Sequence, residues 1–343
     1  MVRASTFDLA LGVLDQSPIS AGATATEALQ QTLELARTAD RLGYARYWVA
    51  EHHNTTGLAG PAPEVLVASI AATTESIRVG SGGVMLPHYS ALKVAETFRL
   101  LEALHPGRID LGIGRAAGGD QLTSAMLRRP AAQEDFPEQM QALIGFLSDA
   151  NPRARVRAIP QPDDGGAPEL WLLGSSDYSA LCAAHFGAAF SFAHFINPEL
   201  GPSVAKAYRE RFVASRRLGA PRLGVGVSVL CADSEAEARR LAQSIALWRL
   251  RLERGDPGPV PSVEEAESYP YSDAERERTA HAARRLIVGA PEQVRSQLLD
   301  LASFYGADEL TLLTLCHDPA ARRRSYELVA EAFALEGALA TRG

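Results

Sequence analysis

The sequence predicts an α/β fold, a closed (β/α)8 TIM barrel, on three observations. Short apolar, β-branched runs alternate with segments of helical period; the alternation repeats eight times; and no proline- and glycine-rich linker divides the chain. Length and composition alone, 343 residues of which 46% are hydrophobic, allow either one large core or two smaller domains. The eightfold repeat favours a single domain over 1–343, because parallel strands joined by right-handed crossovers close naturally into a barrel.

The strands in order are LALGVLDQS, ARYWVAEHH, IRVGSGGVMLP, RIDLGIGR, ELWLLGSS, AAFSFAHF, RLGVGVSVLCAD and ELTLLTLC. Helical patterns follow them: Thr24 to Leu42, PEVLVASIAATTE, ALKVAETFRLLEAL, Phe136 to Leu147, YSALCAAHFG, Gly201 to Arg217, a segment from Ser234, and a closing helix through Tyr326. One excursion, residues 250–290, lies between the seventh and eighth of these strands and is too long for an ordinary connection. Its proline-rich start reads as irregular and mobile, with helices at ERERTAHAARRL and from Pro291 onward. A lid over the barrel mouth is the functional expectation, and a passive surface insertion the competing one.

A formal net charge of -7 with both signs interspersed offers neither a basic stripe for nucleic acid nor a polybasic patch for a membrane, which leaves a small-molecule partner as the default. The N-terminal stretch has no signal-peptide pattern and no run approaches a membrane span, so a cytoplasmic location is expected. Cys182, Cys231 and Cys316 are odd in number and far apart, which suggests buried thiols and neither a disulfide framework nor a zinc site.

Active sites of such barrels lie at the C-terminal ends of the strands, and that rule sorts the histidines. His52, His53, His88, His194 and His317 fall at the mouth, whereas His105 and His185 fall at the opposite end near helix C-termini, which favour a partly charged imidazole. His281, in the excursion, reads as solvent-exposed. Glu51-His52-His53 closes the second strand; adjacent residues face opposite ways, so one histidine lines the axis and the other supports it.

A second constellation has anion-binding character. Gly174-Ser175-Ser176-Asp177 leads from the fifth strand straight into a helix, gathering backbone N–H groups, small hydroxyls and the positive end of a helix dipole. Simple N-capping by Ser176 or Asp177 explains the same residues without a ligand. Arg115, at the end of the neighbouring fourth strand, adds a cation suited to phosphate. Ser81-Gly82-Gly83 interrupts the third strand, as a bulge or a closely approaching flat ligand would require, while Gly12, Gly112 and Gly114 either keep the mouth open or serve tight packing.

Taken in order, VAEHH, VGSGGVMLP, GRIDLGIGR, LLGSS and IVGAPEQV resemble the bacterial-luciferase-like flavin monooxygenases over nearly the whole chain. The resemblance implies reduced FMN at the mouth, its reaction with O2 to a flavin hydroperoxide, and oxygen insertion into an aldehyde, ketone or related small molecule. It implies a catalytic role for His52 with Glu51 beside it, and a non-proline cis peptide at Gly82-Gly83 beneath the isoalloxazine. It further implies flavin contacts from Gly174 and His194, and phosphate contacts from Arg115, Ser175, Ser176 and Ser179. Gly114 stands where the light-producing subunit has a reactive cysteine and His194 where it has a tryptophan, so the non-luminescent branch is the closer match.

By the same resemblance, a separate flavin reductase and a homodimer are expected; PEVLVASIAA and ALKVAETF are apolar enough for a dimer interface. His52 is expected to act as general acid or base, with Glu51 or His53 setting its tautomer. Three other readings compete: hydride transfer with the deazaflavin F420 within the same superfamily, a non-catalytic flavin-binding protein, and a metal-dependent hydrolase with Asp15 among its ligands. No metal site is expected, because the mouth histidines are scattered and strand one carries no HxH pair.

Overall fold

The computed structural model describes residues 9–116, 118–127, 136–148, 155–161 and 166–337. Among the described residues nine parallel strands are formed: β1 (Ala10–Asp15), β2 (Arg46–Val49), β3 (Arg78–Met85), β4 (Ile109–Gly114), β5 (Glu169–Gly174), β6 (Ala189–Ala193), β7 (Leu223–Cys231), β8 (Leu286–Gly289) and β9 (Glu309–Leu313). All but β8 close the barrel in the order β1-β2-β3-β4-β5-β6-β7-β9, with β9 pairing back onto β1. The helices are α1 (Ala25–Leu42), α2 (Pro63–Ala71), α3 (Ala91–Leu104), α4 (Gln121–Leu127), α5 (Phe136–Ser148), α6 (Asp177–Phe186), α7 (Gly201–Glu210), α8 (Glu235–Glu253), α9 (Val263–Ser268), α10 (Asp273–Ala283), α11 (Pro291–Tyr305) and α12 (Pro319–Phe333). No helix among the described residues is long and apolar enough to cross a membrane.

Local chemistry explains where elements start and stop. Thr24 caps α1 in a reciprocal box, Glu27 N–H donating to Thr24 Oγ1 at 3.2 Å and Thr24 N–H to Glu27 Oε2 at 2.7 Å, and Gly43 ends the helix in the left-handed region at φ 86°. The expected helix from Gly201 to Arg217 is shorter, ending at Glu210. Ser215 redirects the chain there: its Oγ donates to Gly187 O and accepts from the N–H groups of Arg217 and Leu218.

The excursion builds α9, α10 and β8. Its strand, not among the eight read in the sequence, pairs with Ser228–Cys231, the end of β7 that runs on past the barrel ladder. The proline-rich start is pinned down: Val260 is fully buried, exchanges backbone hydrogen bonds with Ile19 and Ala21, and Trp248 Nε1 donates to Gly258 O at 2.9 Å.

Alternation places Gly12, Arg46, Gly80, Asp110, Glu169, Gly224 and Glu309 on the barrel axis at its N-terminal end. Arg46 is buried there, 2.5 Å from Asp110, 3.1 Å from Glu309 and 3.5 Å from Glu169. Arg78 reaches Asp110 at 2.6 Å, and Arg222 reaches Glu169 at 2.7 Å and Glu309 at 3.2 Å, so three guanidinium groups face three carboxylates. Glycine makes the space: a Cβ at Gly12 would stand 2.6 Å from Arg46 Cγ, and one at Gly80 2.5 Å from Asp110 Cβ. Gly12 therefore serves this ionic plug and not the mouth.

One layer higher, Trp48 and Trp171 pack edge to face with centroids 5.2 Å apart, donating to Asp110 at 2.9 Å and Glu169 at 2.7 Å respectively. The Arg46 guanidinium lies 5.4 Å and 4.8 Å from the two indole centroids.

At the other end of β1, Asp15 accepts from Arg322 of α12 at 2.6 Å, from Tyr47 at 2.5 Å and from Ser17 N–H at 2.7 Å. Its carboxylate is thus committed to the closing helix. Burial pushes the Asp15 carboxyl up, but Arg322, Tyr47 and Ser17 outweigh burial and hold it below the usual range.

Two outcomes follow for stability. Arg46→Met should cost about 3–5 kcal/mol in urea unfolding at neutral pH, because the buried Asp110 and Glu309 and the partly buried Glu169 lose their shared cation. The Asp15 contribution should be complete above the unfolded carboxyl value of about 4 and be lost as pH falls through the lower folded value. Acid unfolding of Asp15→Asn should therefore lack part of the loss that the parent protein shows below that pH.

Candidate active site

A cavity of about 350 Å³ opens at the C-terminal ends of the strands, directly above the tryptophan layer. His52, Gly82, Gly83, Arg115, Gly174, Ser175, Ser176 and Ser179 all line it, so the structure brings together eight of the ten residues singled out in the sequence. Glu51 and His194 are not among the lining residues.

The third strand bends at the place its glycines suggested. Its register against β4 shifts between Ser81 and Val84, and the Gly82–Gly83 peptide is cis, as the resemblance implied. The Ser81 hydroxyl bridges the slip, donating to Gly112 O at 2.9 Å and accepting from Gly112 N–H at 3.1 Å. At Gly82 a Cβ would meet Leu14 Cδ1 at 2.7 Å, and at Gly83 it would meet Gly112 O at 2.7 Å, so neither position has space for a side chain.

His52 lines the cavity while its buried Nδ1 has no hydrogen-bond partner among the described residues. Burial, and then the neighbouring His53, push its imidazole down to about 4. It is a neutral ring at physiological pH. Neither Glu51 nor His53 hydrogen-bonds it. Glu51 is fully buried; one oxygen takes His53 Nε2 at 2.8 Å and Tyr89 OH at 2.9 Å, the other takes Met85 N–H at 2.9 Å. Glu51 therefore holds the wall strand and the second histidine, and no group sets the His52 tautomer through Nδ1. His53 stands edge-on to His88, with centroids 5.9 Å apart.

His194 points elsewhere: its Nδ1 lies 2.9 Å from Tyr305 OH on α11, and burial and Arg285 hold its imidazole below the ordinary value. Phe195 and Ile196 take its expected place in the wall. His317 sits against Ala21 O at 3.1 Å. Away from the mouth, burial and Arg108 lower the His105 imidazole, contrary to the charge expected at a helix end, and His281 is exposed on α10.

At the opposite side, Ser176 occupies the N-cap position of α6 in extended backbone (φ -140°, ψ 160°), yet its hydroxyl makes no capping bond. The plain N-cap explanation of this serine does not describe the structure. Ser176 Oγ instead lies 3.4 Å from Ser179 Oγ, and a Cβ at Gly174 would stand 2.2 Å from Ser179 Oγ. The Arg115 guanidinium stacks 4.2 Å from the Tyr178 ring centroid, which steadies an exposed cation beside three hydroxyls and the first turn of α6. That donor set suits a phosphate.

Between the two ends the lining is largely apolar: Leu14, Trp48, Met85, Leu173, Phe195 and Ile196, with Gln16, Ser191 and Thr311 as polar exceptions. Thr311 Oγ1 is buried without a partner among the described residues. Alternation in ARYWVAEHH could have identified Trp48, which shares the parity of Arg46 and Ala50. Nothing local marks Met85, Phe195 or Thr311. No residue of the 250–290 excursion lines the cavity.

Comparison with known proteins agrees with this geometry. The luciferase-like monooxygenase family matches residues 9–308. The uncharacterized protein YwcH of Bacillus subtilis is 47% identical over 331 residues, 95% of this chain and 99% of YwcH. The N-acetyl-S-alkylcysteine monooxygenase of the same organism is 40% identical over 329 residues, 94% of this chain and 97% of that protein. The crystal structure of apo-MsnO8 superposes with a TM-score of 0.89 at 42% identity, covering 96% of this chain and 98% of that one. The chain belongs to the luciferase-like monooxygenase family.

Proposed function

We propose that the chain is a flavin-dependent monooxygenase that uses reduced FMN and O2. One observation carries the reading: an uncapped serine-rich helix start with an adjoining arginine, at one end of an apolar cavity, opposite a neutral histidine with an unpartnered nitrogen. Arg115, Ser175, Ser176 and Ser179 would hold the phosphate, and Gly82-Gly83 and Trp48 would face the ring system. The bound reduced flavin supplies the electrons that activate O2 for transfer of one oxygen atom to the substrate.

The protein's own part is to orient, exclude water and move one proton. The apolar lining keeps solvent from the reacting atoms. His52, neutral, can accept a proton on one nitrogen while donating from the other. Glu51 is a positioning residue that fixes Met85 and His53 in the wall. The substrate class extends from aldehydes and ketones to alkyl thioethers, in keeping with the relative named for N-acetyl-S-alkylcysteine; Leu14, Met85, Leu173 and Phe195 suit an alkyl group. Electrons come from a separate reductase, and the exposed Val65, Leu100 and Leu104 of α2 and α3 form the face of a homodimer.

Titration with FMN, followed by crystallography, tests the reading, and phosphate density away from Arg115 and the serines would remove it. Arg115→Ala should weaken FMN about 10- to 100-fold, the loss of a charge-assisted bond, while leaving riboflavin affinity unchanged. Tight binding of F420 in place of FMN would transfer the proposal to hydride transfer. His52→Ala should lower turnover about 100-fold or more, with FMN binding retained. Because burial lowers the His52 pKa to about 4, its ring resonances in the free protein should not shift between pH 8 and roughly 5.5, and protonation should appear only as the pH approaches 4.

A further inference from the structure

The insertion helps to form a second, open cavity of about 350 Å³, between α8, α10, β8 and α11, and no residue lines both this cavity and the one at the barrel mouth. Its walls are mainly apolar, with Ile245 and Ala246 of α8 facing Leu286 and Val288 of β8. Two arginines line it, Arg239, paired with Glu235 at 2.6 Å, and Arg249. Arg249 of α8 lines the cavity and donates from Nη2 to the buried Ser228 Oγ of β7 at 2.9 Å.

Two fully buried arginines of the barrel have carboxylates: Arg46 has Asp110 and Glu309, and Arg322 has Asp15. Arg249 has none within ion-pair distance among the described residues, and none of the cavity's lining residues is acidic. Glu253, one helical turn on, attracts it only from farther away, and the like charge of Arg285 repels it. Burial first, and Arg285 second, hold the guanidinium below its ordinary value. A partly buried cation without a counter-charge is destabilised, and an anion in the cavity would relieve that.

We infer that this cavity is a second small-molecule site, which takes a monoanion carrying an alkyl tail. The anionic head pairs with Arg249 and the tail lies between Ile245, Ala246, Leu286 and Val288. Arg285, next in the chain to the lining Leu286, donates from Nη1 to Ile196 O at 3.1 Å, and Ile196 lines the cavity at the mouth. The insertion thus has a binding role of its own, independent of the flavin reading.

Octanoate is the probe, titrated calorimetrically into the full chain at low salt. One equivalent should bind, with acetate and 1-octanol each weaker by about tenfold or more, since each keeps only one of the two attractions. Arg249→Gln should weaken octanoate by about tenfold or more. Ala246→Trp, which fills the cavity and leaves Arg249 in place, should abolish binding, and it decides the matter if Arg249→Gln does not fold. Arg115→Ala should leave octanoate affinity unchanged. The inference is overturned by no octanoate binding, by equal affinity in Arg249→Gln or Ala246→Trp, or by loss in Arg115→Ala, which would move the ligand to the barrel mouth.

Discussion

Arg46 is the group on which the cavity rests. Its guanidinium is sealed inside the barrel among Asp110, Glu169 and Glu309, and the same carboxylates that neutralise it accept the indole N–H groups of Trp48 and Trp171. Trp48 is in turn part of the cavity floor. An apolar filling could stabilise the barrel equally well, since buried ion pairs gain little over well-packed hydrophobic groups. Directional bonds do what apolar filling does not: they fix the plane and height of the two rings, so that the floor has one shape. The glycines opposite Arg46 and Asp110 are part of the same solution, because a single added methyl group at either would collide with the plug.

The barrel was legible in the sequence because its strands are covered on both faces and read as near-continuous apolar runs. The plug was not, although each member is a lone charge in such a run: Arg46, Asp110, Glu169 and Glu309. Read one strand at a time, a lone charge looks like the edge of an element. Its meaning comes from register, Arg46 beside Gly12 and Asp110 beside Gly80 and Glu169, which is information carried between strands and not within them. Strand β8 escaped for a different reason, being four residues long and paired only with the overhang of β7.

The site shows the same division between local and non-local signals. Serines before a helix and an arginine ending the next strand are local patterns, and the structure brings them together. His194 is a case where alternation contradicted the resemblance. Ser191 and Ala193 line the cavity, so His194, next in line, faces the helices, where Tyr305 meets it. Glu51 was expected in the site beside His52; it does not line the cavity, and its partners are set by the chain beyond β2, where strand alternation has ended. There the carboxylate turns to His53, Tyr89 and the Met85 N–H, away from His52.

That separation of Glu51 from His52 bears on the chemistry. A carboxylate bonded to His52 would raise its pKa and favour the charged imidazolium, as carboxylate partners of histidine generally do. Here the carboxylate goes to the neighbouring ring, and burial is free to lower the His52 pKa to about 4. A neutral imidazole in a largely apolar wall brings no charge that would draw water into the cavity. It still offers a donor and an acceptor to whatever lies against it. The phosphate-type donors sit with Arg115 at the exposed rim, where a charge is readily solvated, and the buried part of the wall keeps an unpartnered nitrogen in reserve. Charge at the mouth and neutrality in depth match what the proposed function asks of the site, an anionic cofactor held at the rim and a water-sensitive reaction protected below.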